Sequence, residues 1–366
     1  VASPAVIFGG PSPEHDISVL TGLQAAHALA HAGRAPTCLY WSKGNDWFEV
    51  DATLEAPDFA DGPPRKARPL RVVTGTGGGF FGEGGALRKE RPLPISVAVV
   101  CCHGTPGEDG TLQAALDLAG VPYTGPDRAF AALGMDKLAF GEVCRAARLP
   151  VLPREAVIDD ELWSPSFDGP YIVKPRFGGS SIGVAVAADA AAVSALARQS
   201  VHLRAGAVVE PYRPESADLE IAVRAFPSLD LSAIARPVRG GEIYSYREKY
   251  IGGQGMLSAP RELNPDLPEA TVKLVREAAT AIAKVARVRG VARVDFLAEG
   301  EDVWVNEVNT IPGSLAKYLW EPAVPFVALL DSLIAEASAR PTVTWTTDGA
   351  DGTALRSAGS IAAKLG

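Results

Sequence analysis

Two segments of the chain are apolar without interruption: AVIF, residues 5–8, and VAVVCC, residues 97–102. A strand with one face in water alternates apolar and polar side chains, whereas an unbroken run has to be covered on both faces. Each run is short and leads into a helix-like segment. PEHDISVLTGLQAAHALAHAG comes after the first, and TLQAALDLAG, which ends on a glycine as helices often do, comes after the second. APTCLYWS reads as a further strand. Strands that alternate with helices build parallel βαβ units, so residues 1–125 are expected to form a doubly wound parallel α/β domain.

The later chain has a different grammar. FAALGMDKLAFGEVCRAARLPVLP reads as a helix, and GPYIVKPRFGGSSIGVAVAAD as strand, glycine loop and strand, with a helix from Ala190. AGAVVEPYRPESADLEIAVRAF supplies two more strands, TVKLVREAATAIAKVARVRG a long amphipathic helix, and VPFVALLDSLIAEASAR a last core helix. Residues 77–82 match G-x-G-x-x-G, the dinucleotide fingerprint. The chain then runs through more glycine into RKERPLP, which offers no helix to aim N–H groups at a pyrophosphate, so a surface hairpin tip is expected there.

Composition narrows the partners. A net charge of −8 argues against a general nucleic-acid or membrane-surface binder while leaving room for a local anion pocket. The four cysteines, Cys38, Cys101, Cys102 and Cys144, have no CxxC spacing and read as reduced, buried thiols. No apolar segment approaches the ~18 residues of a membrane span, and the first residues lack a signal-peptide pattern. The expectation is a cytoplasmic protein that makes no membrane contact.

Chemistry-bearing residues concentrate late in the chain. GVARVDFLAEGEDVWVNEVNTIPG carries Asp295 on one strand-like segment and Glu307 and Asn309 on the next. Buried carboxylates are costly without a cationic partner, and oxygen donors of this kind suit Mg²⁺ completed by phosphates and water; the alternative is a solvated strand face. KPRFGGSSIGV sets Lys174 before a glycine loop whose N–H groups can cradle an anion, although a plain hairpin turn has the same look.

Together with FGGPSPEHDIS, HGTPGEDGTLQAALDLAGVPYTGP, MDKLAF and REKY, these stretches resemble the D-alanine–D-alanine ligase family of the ATP-grasp superfamily, from about residue 6 to about residue 333. The resemblance implies an N-terminal α/β domain followed by the two-lobed ATP-grasp fold. Its parts would be a substrate domain over 1–125, a central lobe over 126–207, a C-terminal lobe over 208–340 and a tail over 341–366. It implies ATP and two Mg²⁺ ions, with Mn²⁺ as a substitute, small amino acids as substrates, a homodimer, and a place in peptidoglycan synthesis. By similarity Lys137 and Lys174 would meet the nucleotide phosphates beside Gly179, Ser180 and Ser181. Glu210 would lie by the adenine, Glu220 by the ribose, and Lys249 would reach the γ-phosphate. Asp295, Glu307 and Asn309 would hold the metal. Arg293 and the Gly313 N–H would face the reacting carbonyl, Glu14, Ser180 and Tyr250 would close a lid over the amino acid, and His103 would lie near the first substrate. SYREKYIGGQGMLSAPREL reads as that lid.

Two departures bear on specificity. Phe177 and Gly178 stand where the family carries an Arg-Glu pair, with Arg176 available to supply a charge. After NTIPG the run is SLAKYLW, so Tyr318 and Leu319 occupy the places of the serine and leucine that hold the second substrate, with Lys317 adjacent. The expected activity is an ATP-dependent carboxylate–amine ligase making a D-alanyl-D-alanine-type dipeptide through an acyl phosphate. A ligase of a natural-product pathway joining another amine is the alternative, and a nucleotide-binding regulator without catalysis is the third.

Overall fold

The structure is a computed structural model that describes residues 3–82, 92–158, 163–238, 260–341, 343 and 345–364. The described strands form three sheets. The first has the order β5-β4-β3-β2-β1-β6. β1 (Ser3–Gly9) lies at its parallel centre between β2 (Thr37–Trp41) and β6 (Ile95–Val100). The two uninterrupted apolar runs are therefore neighbours, and Ala5 to Phe8 and Val97 to Val100 are all buried. β3 (Trp47–Val50), β4 (Arg68–Val73) and β5 (Gly79–Gly82) extend this parallel centre as an antiparallel meander. The glycine-rich decoy is split by it: the hairpin turn ends at Gly78, and Gly79–Gly82 is a paired strand with Phe80 fully buried.

Helix α1 (His15–His31) packs on β1, and α2 (Thr111–Ala119) ends at Gly120 with φ 67°. That left-handed cap is the conformation the sequence pattern anticipates. α3 (Arg128–Met135) and α4 (Lys137–Ala146) start on Asp127 and Asp136, whose side chains each accept two backbone N–H bonds.

The second sheet has the order β7-β10-β8-β9, from Glu155–Ala156, Ala207–Pro211, Tyr171–Pro175 and Ala185–Ala187, with α5 (Ala190–Gln199) against it. β10 starts at Ala207 and pairs with β8 over its whole length, so this sheet runs to Pro211. The third sheet, β13-β12-β11-β14-β15, comprises Arg261–Leu263, Asp230–Pro237, Ala217–Arg224, Val291–Glu299 and Asp302–Asn309. One face is covered by α6 (Glu269–Val285) together with Phe130, Phe140 and Cys144 of α3 and α4. The helices expected in the central lobe thus share a core with the C-terminal sheet.

The chain then returns to its beginning. Ile311, Leu315, Leu319, Trp320 and the helix α7 (Phe326–Ala339) join the core of the first sheet. No helix among the described residues is long and apolar enough to cross a membrane, and all four cysteines are buried thiols.

Candidate active site

β14 and β15 pair so that Asp295 faces Glu307 and Arg293 faces Asn309. Between Asp295 and Phe296 the register slips: Phe296 pairs with Val305, which leaves Asn306 as an extra residue in β15. This bulge changes which residues face where. Val303, Val305 and Val308 are buried in the core, while Asn306, Glu307 and Asn309 line cavities on the other face. Strict alternation from Val303 would have driven Glu307 into the core.

Two cavities meet at Glu307. The larger lies between the second and third sheets, with Ile172, Ile182, Val184 and Leu297 as apolar walls and Lys174, Glu220, Asp295 and Asn306 as polar ones. The smaller is strongly polar and is lined by Glu14, His103, Glu108, Ser180, Arg293, Asn309 and the Gly313 backbone among others. Lys137, Gly178, Gly179 and Glu307 line both.

Around the larger cavity, Lys174 Nζ donates to Glu210 Oε2 at 2.8 Å and to Asn306 Oδ1 at 2.9 Å. Burial raises the Glu210 carboxyl, but Lys174, Arg154 and Lys137 together outweigh it and hold the group below the usual carboxylate range. Lys137 Nζ bonds the Gly178 carbonyl and stands 3.2 Å from Glu307 Oε2. Arg176 forks onto Asp136 at 2.8 and 2.6 Å and stacks over Phe177, so its charge serves the start of α4 rather than the vacated Arg-Glu place. The serine loop is left-handed at Ser180 and Ser181, with φ 52° and 58°, and the Ser180 hydroxyl donates to Glu14 across the domain boundary. Non-glycine residues adopt that conformation at a cost of about 1–3 kcal/mol each, which such contacts offset.

The far end is an ion cluster. Arg293 forks onto Asp295 with both bonds at 2.7 Å, lies 3.7 Å from Glu220, and donates from Nη1 to the Tyr318 hydroxyl at 3.0 Å. Tyr318 in turn donates to Glu220 at 3.3 Å, and the Arg261 guanidinium stacks 3.6 Å over its ring. Burial pushes Asp295 up to about 6 against the opposing pull of Arg293. Asn309 Nδ2 donates to the same carboxylate at 2.9 Å. Leu319 is buried in the core, and Lys317 stacks on Phe326; neither is among the residues lining these two cavities.

In the smaller cavity His103 Nε2 is 2.9 Å from Thr21 Oγ1, and burial lowers its pKa to about 4, so the ring is neutral near pH 7. Thr21 also accepts the Ser314 N–H at 3.1 Å. Glu108 accepts from the Ile311 N–H at 2.8 Å and from Gly104 N–H and Thr310 Oγ1 at 3.2 Å each. Burial, and then Glu14, push Glu108 up to about 7. The turn after Pro312 is held left-handed at Ser314, Leu315 and Ala316.

The structure thus brings together Glu14, His103, Lys137, Lys174, Gly179, Ser180, Ser181, Glu210, Glu220, Arg293, Asp295, Glu307, Asn309 and Gly313 around one space. Lys249, Tyr250 and residues 245–259 of the expected lid lie outside the described residues. Sequence reasoning missed Thr21, Glu108, Arg154, Arg261 and Asn306. Glu108 sits in the HGTPGEDG stretch and Asn306 beside Glu307, so both had a positional signal; Arg154 had only its burial, which a sequence does not display. Among the described residues no three His, Cys, Asp or Glu side chains converge as a metal site. The donor set at the junction is two carboxylates and one amide, all oxygen ligands of the kind a hard cation takes, and they fit Mg²⁺ together with phosphate oxygens.

Comparison with known proteins agrees with this layout. The family models described as D-ala D-ala ligase N-terminus and C-terminus match residues 3–126 and 147–334. The chain is similar to the D-alanine–D-alanine ligase of Methylobacterium sp. (strain 4-46), at 33% identity over 92% of this chain and 91% of that protein. It is 31% identical to the D-alanine–D-alanine ligase of Bradyrhizobium sp. (strain ORS 278), over 92% of this chain and 95% of that one. Among solved structures, the D-alanine–D-alanine ligase of Helicobacter pylori superimposes with a TM-score of 0.73 at 22% identity, covering 94% of this chain and all of that one, a likeness of fold.

Proposed function

The chain belongs to the D-alanine–D-alanine ligase family, and from that premise we propose that it is an ATP-dependent ligase forming a D-alanyl-D-alanine-type dipeptide, as its relatives are named for doing. The observation that carries this reading is the junction of the two cavities at Lys137 and Glu307. A nucleotide in the larger one and an amino acid in the smaller one bring a γ-phosphate and a carboxylate to the same point.

A carboxylate carbon is a poor electrophile because resonance spreads the negative charge and no good leaving group is attached. The first amino acid's carboxylate oxygen attacks the γ-phosphorus and ADP departs, leaving an acyl phosphate. The second amino acid's amine, in its neutral form, then attacks the carbonyl carbon; phosphate leaves, one proton is lost, and the amide forms. Phosphoryl transfer of this kind is largely positioning and charge neutralisation.

Lys137 and Lys174 line the nucleotide cleft and supply two of the positive charges. Asp295, Glu307 and Asn309 would hold Mg²⁺, which when bound neutralises phosphate charge. Glu14, fastened by Ser180, is suited to the first substrate's ammonium. Arg293 and the Gly313 N–H line the smaller cavity at the side where an oxyanion would develop; losing one such donor typically costs ~10²–10³ in rate. The acyl phosphate hydrolyses readily, so water has to be kept from the reacting atoms while it exists. ATP use supports a cytoplasmic location, and the family resemblance supports a homodimer and a role in peptidoglycan synthesis.

One observation supports a second reading. The Tyr318 hydroxyl already bridges Arg293 and Glu220, so the second substrate is held differently from one met by a serine, as a ligase joining another amine would require. Phosphate release from ATP with Mg²⁺, screened over single and paired D- and L-amino acids, separates the readings. Turnover with D-alanine alone supports the first. Turnover only with another amine supports the second, and ATP binding without turnover on any pair supports a regulator.

A further inference from the structure

We infer that Arg154 is the positioning residue that sets the nucleotide cleft, reaching it through the gap left by Gly141; the inference rests on the reading of the larger cavity as the nucleotide site. Arg154 lies just before β7, and its side chain is only 1% exposed. Nη1 donates to the Lys137 carbonyl at 2.6 Å, and Nη2 donates to the Asn306 carbonyl at 2.9 Å and stands 3.1 Å from Glu210 Oε1. One planar fork thus joins the first residue of α4, the bulged residue of β15 and a buried carboxylate of β10.

Each of those anchor points carries a working group. Lys137 presents its own Nζ, Asn306 holds Lys174 and precedes Glu307, and Glu210 is the other partner of Lys174. Arg154 lines neither cavity, so it acts through these partners and not on a ligand. The geometry needs a rigid fork. An ammonium is a single point of charge and cannot span two carbonyls and a carboxylate on three elements.

Gly141 supplies an independent observation. It lies inside α4, one turn after Lys137, where glycine is a poorer helix former than alanine. A Cβ at this position would come within 2.6 Å of Arg154 Cδ and 3.0 Å of its Nε. The missing side chain is the channel by which the arginine crosses the helix.

The test measures MgATP binding at equilibrium and both Michaelis constants in the wild type, Arg154→Lys and Gly141→Ala. The lysine keeps a charge against Glu210, so that variant retains a buried pair; should it fail to fold, Gly141→Ala, which deletes no polar group, carries the test. The expected result is ATP binding weakened at least ~10-fold in both, with the amino-acid KM within ~2-fold of wild type. A merely structural role would instead lower the melting temperature and raise both KM values together, which overturns the inference. Wild-type ATP affinity in a folded Arg154→Lys and Gly141→Ala overturns it as well. A wild type that binds no MgATP overturns the functional reading and this inference with it.

Discussion

At the scale of single residues, charge compensation dominates. Glu307 sits 3.2 Å from Lys137 at the cavity junction, so Glu307→Gln should leave the fold intact while abolishing ligation; a variant retaining full activity would remove Glu307 from the metal site. His103 offers a test by pH. Its folded pKa of about 4 lies below the ordinary 6.5, so between those values the unfolded chain binds the extra proton and stability is lost as pH falls. The loss is on the order of 3 kcal/mol, at 1.36 kcal/mol per unit. Glu108, pushed up to about 7, and Asp295, to about 6, act in the opposite sense: the folded state keeps their protons, and stability is lost as pH rises from about 4.5 or 3.8 through those values. Melting temperature against pH should therefore fall more steeply with rising pH in His103→Gln than in the wild type. Parallel profiles would mean that the ring is not held neutral. Tyr318→Ser should shift acceptor preference toward D-alanine, and unchanged selectivity would mean that the acceptor carboxylate is held away from Arg293.

At the scale of elements, the bulge in β15 separates what the sequence displayed from what it concealed. The apolar runs of β1 and β6, the glycine cap of α2 and the start of α5 at Ala190 were legible because each rests on a local rule of period or cap. β3, β4 and β5 were not, since WFEV and RPLRVV are short, polar or proline-bearing strands that acquire their structure from neighbours on both sides. The family's motif residues were readable as types and spacing, but the hub at Arg154 and the seat of Tyr318 depend on packing between segments distant in the chain. Asn306 shows why alternation alone misleads. As an extra residue it can be removed while Phe296–Val305 and Asp295–Glu307 keep their pairings. Deletion of Asn306 is therefore expected to yield a folded protein whose ATP KM rises at least ~10-fold, because both the Lys174 contact and the Arg154 acceptor are gone. A deletion variant with wild-type ATP kinetics would show that the bulge is incidental.

At the scale of the whole molecule, the first sheet is completed by a helix from late in the chain. Phe326, Leu329, Leu330 and Leu333 of α7 are buried in the core built on β1 and β6. At about 1.5–3 kcal/mol for each buried side chain, their contribution rivals the ~5–15 kcal/mol net stability of a typical domain. A fragment of residues 1–125 should accordingly lack a cooperative thermal transition, and a sharp calorimetric melt from that fragment would show that the N-terminal domain needs no cover. The same arrangement bears on how the protein is made. The roughly 225 residues between β6 and α7 take on the order of 11–45 s to synthesise at ~5–20 residues per second. Throughout that interval the earliest sheet leaves the ribosome with one apolar flank bare, a standing target for chaperones, and it gains its lasting cover only when translation is nearly over.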